Sequence, residues 1–221
     1  MPERRPHLAS DSIYHIFNRG VEKRVTFSDQ SYYKHFLQTL LYYQTQPPVR
    51  LSWKREESVK AEKLHDKLVE ILGFCLMTNH FHLLLKQLID GGITKFMSNI
   101  ANSYTRYFNT RQERGGPLFQ GIFKAKLIES QDSFWQVSRY IHLNPQDLYP
   151  TTINTHLEGV EAIRDYHYSS YNVYLGKLDK YELCRSESIT EFVPTPSEYQ
   201  EFVEAKIGMD SRTGIEELIL D

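Results

Sequence analysis

Leu76-Met77-Thr78-Asn79-His80-Phe81-His82-Leu83-Leu84-Leu85 is the stretch from which the rest of the chain is best read. It is apolar apart from a short polar break and two histidines separated by one bulky residue. Side chains on a strand alternate between faces, so His80 and His82 share one face while Phe81 points to the other. Their Cα atoms then stand roughly 7 Å apart, near enough for two imidazoles to converge on one metal ion. The same pair also suits a structural role, each ring satisfied by a backbone carbonyl. The stretch alone leaves both readings open.

Residues 69–77 read as the strand before it, Thr78-Asn79 as a turn, and residues 80–86 as the strand after it. Upstream, Ile13-Tyr14-His15-Ile16-Phe17-Asn18 is rich in β-branched and aromatic residues and reads as a first strand, followed by a basic turn over residues 19–24. Ser28 or Asp29 is placed to cap a helix over residues 30–43, with Tyr33, Phe36, Leu37, Leu40 and Leu41 on one face, and Pro47-Pro48 ends it. Residues 52–67 are charged and read as an exposed loop or short helix. Gly91-Gly92 opens a long helix over residues 93–110, with Phe96, Ile100, Tyr104 and Tyr107 or Phe108 near one stripe, and Gly115-Gly116-Pro117 breaks it. Residues 119–128 read as a fourth strand. Asp132 or Ser133 then caps a helix to Leu143, which stops because Pro145 disfavours helical geometry at Asn144. Strands and helices in this order, without a repeat, predict an α+β fold: an antiparallel sheet with helices packed on one face. No Gly-, Pro- or Ser-rich linker divides residues 1–175. Residues 176–221 are acidic, hold one helix near residues 197–207, and read as a small C-terminal extension.

The 221 residues are 40% hydrophobic and 24% charged, enough for a core without staples. Two cysteines, Cys75 and Cys184, do not make a disulfide framework and suit a reducing compartment. There is no signal-peptide pattern at the start and no apolar run of about 18 residues, so a cytoplasmic location without membrane contact is expected. The net charge of −2 hides an asymmetry. Residues 1–126 hold 19 Lys and Arg against 11 Asp and Glu, while residues 127–221 hold 7 against 17. A first half at +8 has the electrostatic footprint of a phosphate binder, or simply a solvated surface.

The helix before Pro145 carries Arg139-Tyr140-Ile141-His142-Leu143-Asn144. Tyr140 and Asn144 are i and i+4, on one helical face about 6 Å apart, with Arg139 and His142 turned away. An amide one turn beyond a phenol brings the phenol to whatever ion the amide holds; alternatively, a buried Tyr sits beside an Asn that caps the helix.

Taken together, these pieces resemble the single-tyrosine HUH endonucleases and transposases, and within them the REP-associated tyrosine transposases. The matching motifs are Asn18-Arg19-Gly20, the residues from Met77 to Leu84, Tyr104-Thr105-Arg106-Tyr107-Phe108-Asn109, Gly116-Pro117-Leu118-Phe119-Gln120-Gly121, the residues from Arg139 to Pro145, and Asp165-Tyr166-His167-Tyr168-Ser169-Ser170-Tyr171. They occur in the family's order over residues 12–175. Two departures stand out: Thr78 replaces the family's usual Pro, and Ile122 stands where an arginine is common, which removes one phosphate contact.

The resemblance implies a ferredoxin-like domain that cleaves and rejoins single-stranded DNA at palindromic repeat hairpins, as a monomer or homodimer. His80, His82 and Asn144 would hold Mg²⁺ or Mn²⁺, although imidazole ligands also suit Zn²⁺. Tyr140 would attack the phosphorus to give a 5′-phosphotyrosine and a free 3′-hydroxyl. Tyr104, also helical, is the rival nucleophile. Phosphate contacts are expected from Arg19, Lys23, Arg24, Arg106, Arg111, Arg114, Lys124 and Lys126, with Tyr107, Phe119 and Phe123 available to stack bases. The competing readings are a relaxase or rolling-circle initiator, an inactive DNA-binding module, and a metallohydrolase that works through bound water.

Overall fold

The structure is a computed structural model that describes residues 8–46, 67–148, 156–177, 179, 181–184, 186–193, 195–213, 215 and 219. Most of the charged segment expected at residues 52–67 lies outside them. Four strands, β1 (Ile13–Arg19), β2 (Val69–Leu76), β3 (His80–Gln87) and β4 (Lys124–Ile128), form one sheet in the order β2-β3-β1-β4. Every pairing is antiparallel. The helices are α1 (Gln30–Tyr43), α2 (Gly92–Arg111), α3 (Gln131–Leu143), α4 (His156–Arg164), α5 (Tyr171–Tyr174), α6 (Ser186–Thr190) and α7 (Pro196–Glu204). The α+β antiparallel architecture read from the sequence is the one found.

Register decides which side chains meet. Phe17 lies opposite His82, Arg19 opposite His80, His15 opposite Leu84, and Cys75 opposite His82. Directly paired residues share a face, so His15, Phe17, Arg19, His80 and His82 project together. Ile16, Phe81 and Leu83 project from the other side, where α1 and α2 pack. There Phe36 of α1 lies 5.1 Å from Phe81 and 4.9 Å from Tyr104 of α2, ring centre to ring centre. Helices on one face thus describes α1 and α2. The third long helix, α3, crosses the opposite face, the face that carries the histidines.

Local chemistry sets the element ends. Asp29 caps α1 as expected, its carboxylate accepting from Ser31 N–H at 2.8 Å. For α3 the cap is Ser130, not Asp132 or Ser133: Ser130 has extended backbone and its hydroxyl accepts from Ser133 N–H at 3.1 Å. Asp132 falls inside the first turn, where a carboxylate favours the positive end of the helix dipole. The fourth strand is shorter than residues 119–128. Phe119 is buried and bridges Gly20, Gly121 turns the chain at φ +64°, and pairing with β1 runs from Lys124.

The chain after α4 returns to the sheet. Leu76 N–H donates to Tyr168 O at 2.9 Å and Ser170 N–H to Phe74 O at 3.0 Å, which covers the outer edge of β2. Beyond Gly176 the extension is built onto α3. Trp135 Nε1 donates to Phe192 O at 2.7 Å, and Tyr199 and Val203 of α7 are fully buried. Cys75 and Cys184 are both free and buried. Among the described residues, no helix is long and apolar enough to cross a membrane.

Candidate functional site

The two histidines stand at the start of β3, and each is set by a different neighbour. Asn79 Nδ2 donates to Lys23 O at 3.2 Å, which fixes the amide and turns Oδ1 toward His80. His80 Nδ1 lies 2.7 Å from that oxygen, so Nδ1 carries the proton and Nε2 presents a lone pair. That lone pair faces Asn144 Oδ1 at 3.4 Å. The Asn144 amide is oriented in turn by Nδ2, which donates to Tyr140 O at 2.8 Å. His80 Nε2 and the Asn144 oxygen are thus directed at one place.

His82 supplies a third. Its Nε2 is buried and has no hydrogen-bond partner, while its Nδ1 lies 3.0 Å from His15 Nε2. Burial, with His80, His15 and Arg19 nearby, holds His82 well below the usual imidazole range, and the Asn144 amide works weakly the other way. The ring is therefore neutral at neutral pH, the form in which an imidazole binds a metal. A buried polar atom without a partner is rare and calls for an explanation. A cation held by His80 Nε2, His82 Nε2 and Asn144 Oδ1 would give the buried His82 nitrogen its partner. Two imidazoles and one amide fit a divalent ion, with room for phosphate oxygens and water. Among the described residues there is no cluster of three or more His, Cys, Asp or Glu side chains that could hold a metal.

α3 brings Tyr140 to the same place. Its ring stands edge-on to His82 at 5.3 Å and to His15 at 6.0 Å. A cavity of about 320 Å³ opens here, lined by Arg19, His80, Tyr140, Asn144 and Asp147 together with residues 209–212 of the C-terminal extension. Tyr140 is only 3% exposed. The extension is tied down beside it, with Gly208 N–H donating to Gln146 Oε1 at 3.2 Å and Gln146 Nε2 to Met209 O at 3.3 Å.

The turn that orients Asn79 is strained. Glu22 and Lys23 both have positive φ, +58° and +57°, which in non-glycine residues costs roughly 1–2 kcal/mol each. Gly20 precedes them because a Cβ there would stand 2.5 Å from Arg24 O and 2.8 Å from Thr26 Cγ2. Backbone strain of this kind gathers where geometry serves a site.

The other expected residues divide. Tyr104 lies in the α1–α2 core on the far side of the sheet, fully buried, its hydroxyl donating to Thr26 O at 2.8 Å, with burial pushing the phenol far up. His142 is buried in the other direction from Tyr140, bonded to Tyr199 OH at 2.7 Å and Ser170 Oγ at 2.8 Å, and burial pushes it down to about 3. Arg19 is at the site. Lys124 and Lys126 are opposite Phe17 and His15 and so share its face, Lys124 with Nζ 5.4 Å from the Phe17 ring. Lys23 and Arg24 are on the strained turn, Arg24 4.0 Å from Glu22. Arg106 is exposed on α2. Arg111 bonds Ser31 and Tyr107, and Arg114 bonds Asn109 and Pro117 O, so both also brace the end of α2. Tyr107 stacks on His35 at 3.7 Å, and Phe123 is half-buried. His15, Asp147, Asp210 and Arg212 were not among the expected site residues. For His15 the available signal is an imidazole in mid-strand, in alternation with Arg19.

Two comparisons with known proteins bear on this arrangement. Residues 48–144 match the family model described as "Transposase IS200 like". A solved structure of a REP-associated tyrosine transposase bound to a REP hairpin is similar in fold, with a TM-score of 0.50 and 14% identity, over 80% of this chain and 87% of that one. No curated protein matches. The family model bears out the likeness over residues 48–144, and the solved structure bears out the fold.

Proposed function

Starting from a chain with an IS200-like transposase segment on the fold of a REP-associated tyrosine transposase, we propose that it is a transposase-type enzyme that nicks and rejoins single-stranded DNA beside a hairpin. The observation that supports this reading is the unpartnered, buried Nε2 of His82, with His80 facing Asn144 and the Tyr140 ring edge-on to His82. A divalent ion held there, Mg²⁺ or Mn²⁺, would polarise the scissile phosphate and offset charge in the transition state.

The remaining steps belong to the chain. Tyr140 Oη attacks the phosphorus, the 3′-oxygen leaves as a hydroxyl, and the strand's 5′ end is held as a phosphotyrosine. That ester conserves the bond, so a second 3′-hydroxyl reverses the step and joins a new strand. Arg19 lines the same cavity as Tyr140 and suits a phosphate neighbouring the reacting one. Lys124 and Lys126 extend the positive face along β4, where DNA backbone binds irrespective of sequence. The substrate is a palindromic hairpin with single-stranded flanks, and the enzyme works in the cytoplasm, as a monomer or a homodimer.

Incubation with a hairpin oligonucleotide bearing labelled flanks, with Mn²⁺ or with chelator, tests this. The expected products are a free 3′-hydroxyl on one side and a protein-blocked 5′ end on the other. A free 5′-phosphate would indicate hydrolysis by metal-bound water instead, and tight hairpin binding without any cleavage would indicate a DNA-binding module.

A further inference from the structure

The steps above leave one buried imidazole without a task. His15 lies in the middle of β1, fully buried, and no step of the reaction calls on it. Its Nε2 meets His82 Nδ1 at 3.0 Å, and the ring centres are 5.2 Å apart with the planes 22° from parallel. A ring separation so much longer than the atomic contact means that the rings meet edge to edge, so the hydrogen bond lies near both ring planes, its favourable direction. Because only one hydrogen can lie between the two nitrogens, fixing the proton on one ring fixes it on the other.

We propose that His15 is a positioning residue: it accepts a hydrogen bond from His82 Nδ1–H and thereby holds His82 in the tautomer whose Nε2 lone pair points into the site. Two observations favour this direction of the bond, and a third holds the acceptor in place. His82 Nε2 makes no hydrogen bond whereas Nδ1 makes one, so a hydrogen on Nδ1 is the one that is bonded. His80 is held in the same tautomer by Asn79, so both ligand imidazoles present Nε2. His15 is fixed in turn by the sheet, since β1 pairs with β3 on one side and β4 on the other. A hydrogen bond to the second nitrogen of a ligand histidine sets ring orientation and raises ligand basicity, and its loss typically weakens metal affinity 10–100-fold.

The inference rests on the metal-site reading above, and the experiment separates the two. Mn²⁺ binding is measured by titration calorimetry on the full chain and on His15→Leu and His15→Gln. His15→Leu removes the acceptor; His15→Gln places an amide oxygen near the position of the imidazole Nε2. The expected result is a Kd raised about 10–100-fold in His15→Leu and largely restored in His15→Gln. A His15→Leu protein that is folded and binds Mn²⁺ within twofold of wild type would overturn the proposal while leaving the metal site intact. Wild-type protein that binds no Mn²⁺ would overturn both. Should His15→Leu not fold, the ¹⁵N chemical shifts of His82 in the metal-free wild type decide the matter: a protonated Nδ1 with unprotonated Nε2 is expected, and the opposite tautomer refutes it.

Discussion

His80 Nε2 and Asn144 Oδ1 face each other at 3.4 Å, each turned into that position by a hydrogen bond on its far side. An ion held between them would meet both atoms at once. Asn144→Ala is therefore expected to weaken Mn²⁺ binding about 100-fold or more, beyond the usual effect of losing an outer-shell partner. Asn144→Asp is expected to retain binding, because a carboxylate suits a hard divalent ion. Calorimetric titration checks both; an Asn144→Ala protein with wild-type affinity would remove the amide from the ligand set.

Tyr104 and Tyr140 have opposite duties although both are helical tyrosines. The Tyr104 hydroxyl satisfies Thr26 O inside the α1–α2 core. Tyr104→Phe leaves that carbonyl short of a donor and is expected to lower unfolding free energy by about 1–2 kcal/mol while leaving strand cleavage in place. Urea denaturation and a cleavage assay on the same preparation check this. Loss of cleavage without loss of stability would return Tyr104 to the list of nucleophiles.

Stability should fall in acid through His142. Burial holds its folded pKa down at about 3, against about 6.5 unfolded, so the unfolded chain binds the extra proton between these values. The contribution is complete above about pH 6.5 and is lost at about 1.4 kcal/mol per pH unit below it, or about 2 kcal/mol by pH 5. His82, buried and also shifted down, acts in the same direction. The loss between pH 7.5 and 5.0, measured by urea denaturation, should be smaller by that amount in His142→Gln. Equal losses in the two proteins would mean that His142 is not the group responsible.

Residues 209–212 line the cavity in which Tyr140 is almost covered, and Gln146 holds Gly208 and Met209 there with two hydrogen bonds. Gln146→Ala removes both bonds and leaves the buried anchors Ile215 and Ile219 in place. Exposed hydrogen bonds of this kind contribute about 0.5–1.5 kcal/mol, so cleavage of a hairpin substrate should speed up by about 2–10-fold. An unchanged rate would show that the segment does not limit access to Tyr140.

How much of this could be read from the sequence depended on the range of the interaction. Strand and helix periods are local, so β1, α1, the β2–β3 hairpin and α2 come out of the sequence within a residue or two. His80 and His82 on one face follow from the two-residue alternation alone, and Tyr140 with Asn144 from the four-residue helical step. That α3 crosses the histidine face, while α1 and α2 take the other, depends on packing over long separations and has no local signal. The same is true of Ser130 as the cap of α3, since Ser130, Asp132 and Ser133 are all competent caps and only the extended backbone at Ser130 decides between them. Residues 209–212 reach the site through the fold of α7 on α3, and nothing in their own composition marks them. Alternation in β1 groups His15 with Phe17 and Arg19, and it is the register of β1 against β3 that puts that group on the ligand face.

The most direct test of the central claim is to map the covalent adduct. The protein is incubated with a hairpin oligonucleotide and Mn²⁺, trapped in denaturant and digested with nuclease and protease, and the modified peptide is sequenced by mass spectrometry. The expected result is a nucleotide phosphate on Tyr140 alone, absent with chelator and absent in Tyr140→Phe. A metal-dependent adduct on any other side chain, or one that persists in Tyr140→Phe, would contradict the placing of the nucleophile over His80, His82 and Asn144.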